Sequence, residues 1–136
     1  MYTQPFVSWP KPTVDAGILW EELSALPKSP IADRQAEWKD MIELGKVLLY
    51  DRRLSGSNQI SCVSCHVPEM NWADGRIVSV GHNQSANTRN APSLENVWYF
   101  KKYFWDGRAE SLEEQLSGPI TSEIEIHQDF KTLPSK

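Results

Sequence analysis

A chain of 136 residues is enough for one domain, and 40% hydrophobic residues with six tryptophans place it among globular rather than disordered proteins. The formal net charge is −4 and no run of lysine or arginine exceeds a pair, which argues against nucleic acid or an anionic membrane surface as a partner. No apolar run reaches the length of a membrane span, and the start, MYTQPFVSWPKP, lacks the basic segment, apolar core and small-residue cleavage site of a signal peptide.

Residues 1–32 carry Pro5, Pro10, Pro12, Pro27 and Pro30. Each fixes its own backbone and restricts the residue before it, so the stretch reads as an extended N-terminal arm. One short helix is expected over residues 16–25, where Ile18, Leu19, Trp20 and Leu23 offer a packing face. Residues 33–136 are expected to form the domain proper. Its clearest helix covers residues 33–50, with Asp33 as N-cap and Trp38, Met41, Ile42, Leu44, Val47, Leu48 and Leu49 at helical spacing. Gly56 and Asn58 break that pattern. Residues 67–92 read as loop, punctuated by Asp74-Gly75, Gly81, Asn83, Asn87, Asn90 and Pro92. A connection this long in a compact domain is usually functional or wrapped around something. Helices are expected again at residues 93–99 and 111–116, the second opened by the capping-box pattern Ser111-Leu112-Glu113-Glu114. Asp106-Gly107 is a turn signal. Strand alternation and repeats are lacking, so the fold class is mainly α with long loops.

The chemistry centres on Cys62-Val63-Ser64-Cys65-His66, which holds the only two cysteines of the chain. Cys-x-x-Cys-His is the attachment pattern of a c-type haem: two thiols form thioethers with the vinyl groups, and the adjacent histidine supplies an axial nitrogen. A redox-active Cys-x-x-Cys belongs in a βαβ context, and structural zinc needs four ligands, usually with a second cysteine or histidine pair. A plain disulfide would have no use for His66. One covalent haem c also accounts for the looped middle of the chain, since loops wrap a large apolar body without a conventional core. Such attachment takes place outside the cytoplasm, so a periplasmic location is expected.

The ligand opposite His66 separates electron transfer from catalysis. Small electron-carrying cytochromes place a methionine there. Met70 lies only four residues beyond His66, and Met41 falls on the expected core helix. The remaining histidines are His82, in the polar loop SVGHNQS, and His127. His82 is the candidate distal ligand, and a ligand carried on a loop is one that can leave the iron and open a position for peroxide.

Taken in order, LGKVLLYDRRLSGSNQISCVSCHVP, DGRIVSVGH, TRNAPSLENV, FWDGRAESLEEQ and GPITSEIEI resemble the N-terminal, peroxidatic haem domain of the bacterial di-haem cytochrome c peroxidases and their MauG-type relatives. The resemblance implies a cytochrome c-like haem domain whose long loops wrap one covalently attached haem. It implies that Cys62 and Cys65 attach the haem, that His66 is the proximal ligand, and that His82 caps the iron at rest and swings away on activation. It assigns Trp105 to electron transfer between two haems, and Gln115 and Glu125 to the distal pocket, where Glu125 moves a proton between the peroxide oxygens. Asn90 matches a residue that helps hold calcium, and Arg108 is a candidate partner of a haem propionate. The activity implied is reduction of hydrogen peroxide to water, with electrons from a small redox protein or a second haem domain. That second domain is absent from this chain, and the family's Glu-Met is Glu125-Ile126 here, followed by an unassigned His127. The alternative is a bis-histidine, mono-haem electron-transfer or redox-sensing module without turnover; oligomeric state is open in either reading.

Overall fold

The computed structural model describes residues 3–21 and 23–133, apart from the side chain of Phe6. Two α-helices, α1 (Gln35–Tyr50) and α2 (Leu112–Thr121), are joined by loops that carry short 3-10 turns, and no strand occurs among the described residues. α1 follows from its strong helix formers and from ion pairs one turn apart: Arg34 with Glu37, and Lys46 with Glu43 at 2.7 Å. Its start differs from expectation. Asp33 lies in a 3-10 turn (Ala32–Arg34), Arg34 occupies the cap position, and no side chain caps the helix. At the other end Asp51 turns extended and accepts the Arg53 N–H at 2.9 Å, which opens the next 3-10 turn, Arg52–Leu54. α1 packs on the turn that carries the cysteines.

The helix expected over residues 16–25 does not form at the described positions; a turn at Ala16 and Gly17 is followed by irregular chain. Gly17 sits at φ +89°, and Leu19 and Leu23 have nothing to pack against. A helix this short needs a packed face to persist. The helix expected at residues 93–99 shrinks to a 3-10 turn, Val97–Tyr99, because Asn96 just before it adopts the left-handed conformation.

α2 runs past the expected end, through Gly118 and Pro119. Ser111 caps it, accepting the Glu114 N–H at 3.1 Å. The reciprocal bond of a capping box is displaced by one residue, since the Glu114 carboxylate accepts from the Glu110 N–H at 2.8 Å. The carbonyls of its last turn are taken up by the chain just beyond the helix. Ser122 donates to Gly118, Ile126 to Pro119 at 3.1 Å, and Gln128 to Ile120 at 2.8 Å. Residues 122–128 thus fold back over the helix end, satisfying groups that a helix terminus otherwise leaves to water.

Three loops are closed by isolated antiparallel bridges, Val67 to Ala73, Val80 to Ala86 and Tyr103 to Ala109. The core is small. Among the described residues the buried apolar side chains are Ala91, Ala109 and Ile126, alongside the polar Ser55, Ser61, Asp74, Ser79 and Gln128. The accessible surface is 10,872 Å², against about 7,200 Å² for a compact monomer of this mass. Met41, Val47 and Trp105 are each at least 60% exposed.

Candidate haem site

The Cys62–Ser64 segment is a single 3-10 turn. Ser64 Oγ accepts the Ser61 N–H at 3.0 Å, and the Cys62 carbonyl accepts from both Cys65 (3.2 Å) and His66 (3.0 Å). One turn thereby gathers both sulfurs and the imidazole. Both cysteines are free and half-buried. Burial pushes both thiols up, and at Cys65 the negative charges of Asp74 and Glu125 push further. Cys65 Sγ lies 3.8 Å from the Val80 carbonyl, which ties this turn to the loop that carries His82.

His66 Nδ1 is 3.0 Å from the Trp72 carbonyl. A carbonyl only accepts, so Nδ1 carries the proton and Nε2 keeps its lone pair for a metal. The carbonyl is aimed by two left-handed residues, Asn71 and Trp72 (φ 56° and 60°), within the loop closed by Val67 and Ala73. Met70 sits in this same loop with its terminal methyl against Gly75, and Met41 is exposed on α1.

The second cluster joins the 81–85 loop to the 122–128 return. The His82 N–H donates to the Glu125 carbonyl at 2.8 Å, and Asn87 Nδ2 donates to Glu125 Oε1 at 2.8 Å. The His82 and His127 rings stack, with centroids 4.5 Å apart and planes 15° from parallel. Two glycines permit this closeness. A Cβ on Gly81 would stand 2.2 Å from the Ile124 carbonyl oxygen, and one on Gly56 would stand 2.0 Å from that of His127. Gly56 also donates its N–H to the Ile126 carbonyl at 3.0 Å. The outer side of the return borders an open hollow of about 380 Å³ lined by Thr121, Glu123, His127, Gln128 and Asp129. None of the haem-attachment residues lines that hollow.

The other expected site residues are distributed around these two clusters. Gln115 is half-buried on α2. Trp105 is exposed, and its indole N–H donates to the Asn90 carbonyl at 3.4 Å. The Asn90 side chain donates to the Arg76 carbonyl. Arg108 places one nitrogen 2.9 Å from both Asp106 oxygens and lays its guanidinium 3.4 Å over the Phe104 ring. Sequence reasoning did not reach Asn87, whose bond to Glu125 spans a long separation with no local signal. It also passed over the Trp72 carbonyl, which any residue type would supply. A signal for the close contact did exist in Gly81-His82, a glycine directly before a candidate ligand.

The donor set suits a c-type haem. It provides two free thiols in one turn, an imidazole whose tautomer is fixed for coordination through Nε2, and a second imidazole, His82, whose Nδ1 is buried with no hydrogen-bond partner. No group of three or more His, Cys, Asp or Glu converges among the described residues. No helix among the described residues is long and apolar enough to cross a membrane.

Comparison with known proteins agrees. The chain is 39% identical over 127 residues to the cytochrome c551 peroxidase of Pseudomonas aeruginosa, covering 89% of this chain and 36% of that one. It is 40% identical over 93 residues to the methylamine utilization protein MauG of Methylophilus methylotrophus, covering 68% and 28%. Among solved structures, a MauG-like protein associated with microbial copper homeostasis superposes with a TM-score of 0.67 at 32% identity, over 85% of this chain and 34% of that one. The chain thus spans only about a third of the length of such relatives. Residues 39–136 match the di-haem cytochrome c peroxidase family, and the chain belongs to it.

Proposed function

We propose that residues 33–136 form a c-type haem peroxidase domain that reduces hydrogen peroxide to water, with residues 1–32 as an arm beside it. Two electrons and two protons convert one peroxide into two waters. A small redox protein or a second haem domain is the electron source, with Trp105, exposed at the surface, on the route in. Cys62 and Cys65 hold the haem as thioethers, each S–H adding across a vinyl double bond, and His66 holds the iron through Nε2. The haem, when bound, supplies the redox-active iron.

The observation that carries the proposal is the meeting of His82 and Glu125 on one loop contact, with the Glu125 carboxylate held at Oε1 by Asn87. Oε2 is left to take and return a proton, and Gln115 adds a polar amide on α2. An electron carrier has no need of an acid–base group beside its distal ligand. Arg108 is the candidate partner of a haem propionate. Asn90 is the candidate calcium ligand of this chain. Periplasmic location follows from haem c attachment.

A second reading has its own support. The His82 ring stacked on His127 and the bond from its N–H to Glu125 hold that histidine in place, as a bis-histidine electron carrier requires.

Peroxide added to haem-loaded protein, with ferric and reduced forms followed separately by absorbance, separates the two. A rapid spectral change with peroxide consumption, slowed about 10²–10⁴-fold in Glu125→Gln, is the peroxidase result. An unchanged low-spin spectrum in both forms, with no consumption, refutes it in favour of the carrier.

A further inference from the structure

The two candidate iron-binding histidines are secured in different ways. His66 is fixed by a hydrogen bond from Nδ1 to the Trp72 carbonyl. Such outer bonds normally set both tautomer and ring orientation of a ligand. His82 lacks one: its Nδ1 is buried and makes no hydrogen bond. Its backbone is anchored by the N–H bond to Glu125, but that bond leaves rotation about the side chain free. What fixes the plane of the ring is the face of His127 at 4.5 Å and 15°.

His127 is itself built into place. It sits at φ +51°, a left-handed conformation unusual for a residue with a Cβ. Its N–H donates to the Ser122 carbonyl at 2.9 Å, and its own carbonyl lies where a side chain on Gly56 would have to go. The return over the end of α2 therefore presents this ring to the 81–85 loop from a fixed backbone.

We propose that His127 is a positioning residue for His82: its ring is the platform that holds the distal imidazole in its capping orientation. A face contact resists rotation yet breaks without leaving an unpaired donor. That makes His82 the ligand able to depart, whereas displacing His66 would strand its Nδ1 proton and the Trp72 carbonyl. The inference rests on His82 being the distal ligand, as the proposed function has it.

The test compares ferric, haem-loaded wild type with His82→Ala, His127→Ala and His127→Phe, reading the high-spin share of the absorbance spectrum and the rate of azide binding. His82→Ala should be fully high-spin. An aromatic pair of ordinary strength converts to roughly a 2- to 12-fold larger ratio of high-spin to low-spin haem in His127→Ala. His127→Phe, which keeps a ring, should return that ratio and the azide rate close to wild type. If His82→Ala stays low-spin, the ligand assignment fails and this proposal with it. If His82→Ala responds while His127→Ala matches wild type, the positioning role alone is overturned. A His127→Phe variant as open as His127→Ala overturns it too, since the ring face would then not be what matters. Far-ultraviolet circular dichroism of each variant excludes unfolding as the source of a high-spin signal.

Discussion

Gly81→Ala is the most informative single perturbation of the site. The added Cβ would stand 2.2 Å from the Ile124 carbonyl oxygen and 2.9 Å from the Glu125 Cα, both backbone atoms that cannot rotate aside. Restoring ordinary contact of about 3.4 Å requires the 81–85 loop and the 122–128 return to part by more than 1 Å. The 2.8 Å bond from the His82 N–H to the Glu125 carbonyl would then stretch beyond hydrogen-bonding range. Overpacking of this kind costs about 1–3 kcal/mol, and the lost bond about 1 kcal/mol more. A loss of about 2–4 kcal/mol is a large part of the 5–15 kcal/mol that holds an ordinary domain together. Gly45→Ala is the natural control. Gly45 lies inside α1 with nothing within 4 Å of its missing Cβ, so alanine there should stabilise by about 1 kcal/mol. Urea unfolding of the two haem-loaded variants, followed by the haem band and by tryptophan fluorescence, measures both. If Gly81→Ala unfolds at the same midpoint as Gly45→Ala, the close approach does not hold the two segments together and the reasoning fails.

Three other outcomes are expected. In haem-free protein, burial holds both thiols above their ordinary range, so iodoacetamide should label the folded chain more slowly than the urea-unfolded chain near pH 8.5. A folded pKa above the unfolded one means that the thiols' contribution to stability is complete below about pH 8.5 and is lost as pH rises through the folded value. Ser111→Ala removes the acceptor of the Glu114 N–H and should cost about 1 kcal/mol in the same urea assay. The hydrogen bond from Arg108 holds the Asp106 carboxyl below its usual range, so its contribution is present above the unfolded aspartate pKa and fades as pH falls through the lower folded value. Asp106→Asn should therefore flatten the acid limb of the stability profile, lowering thermal stability at neutral and alkaline pH while converging on wild type at pH values below the folded aspartate pKa.

Sequence carried the attachment turn and the long helix because both are local. Two cysteines and a histidine within five positions leave few chemistries open, and the apolar spacing of α1 declares its period. The helix expected at residues 16–25 failed because periodicity states what a segment would bury, not whether a neighbour exists to bury it. Leu19 and Leu23 found none. The end of α2 lies beyond the expected residue 116, past Gly118 and Pro119, two residue types that ordinarily disfavour a helix interior. Their effect is offset by the return of residues 122–128, whose Ile126 and Gln128 N–H groups take up the last carbonyls. The pairing of Asn87 with Glu125, and of His82 with His127, depends on that return and so has no local trace. Position in a family motif led to Glu125 and His82; only the fold puts them against each other.

The bridged loops have a further consequence for how such a frame varies. Val67 with Ala73, and Tyr103 with Ala109, each close a short circuit that is also tied outward: the Asn71 and Trp72 carbonyls meet Ser93 and His66, while Trp105 donates to the Asn90 carbonyl and Asp106 pairs with Arg89. Doubling the length of a flexible loop adds only about 0.6 kcal/mol of closure entropy. Extra length in either circuit is therefore cheap in closure entropy, provided the bridging residues and these outward ties stay. The 81–85 circuit is fastened most closely, since the backbone of Gly81 and His82 lies directly against residues 124–127. Insertions should be resisted most strongly at the second circuit, and tolerated at the first and third only where they spare the Trp72 carbonyl and the Trp105 and Asp106 contacts, which makes the distal ligand's loop the least replaceable of the three.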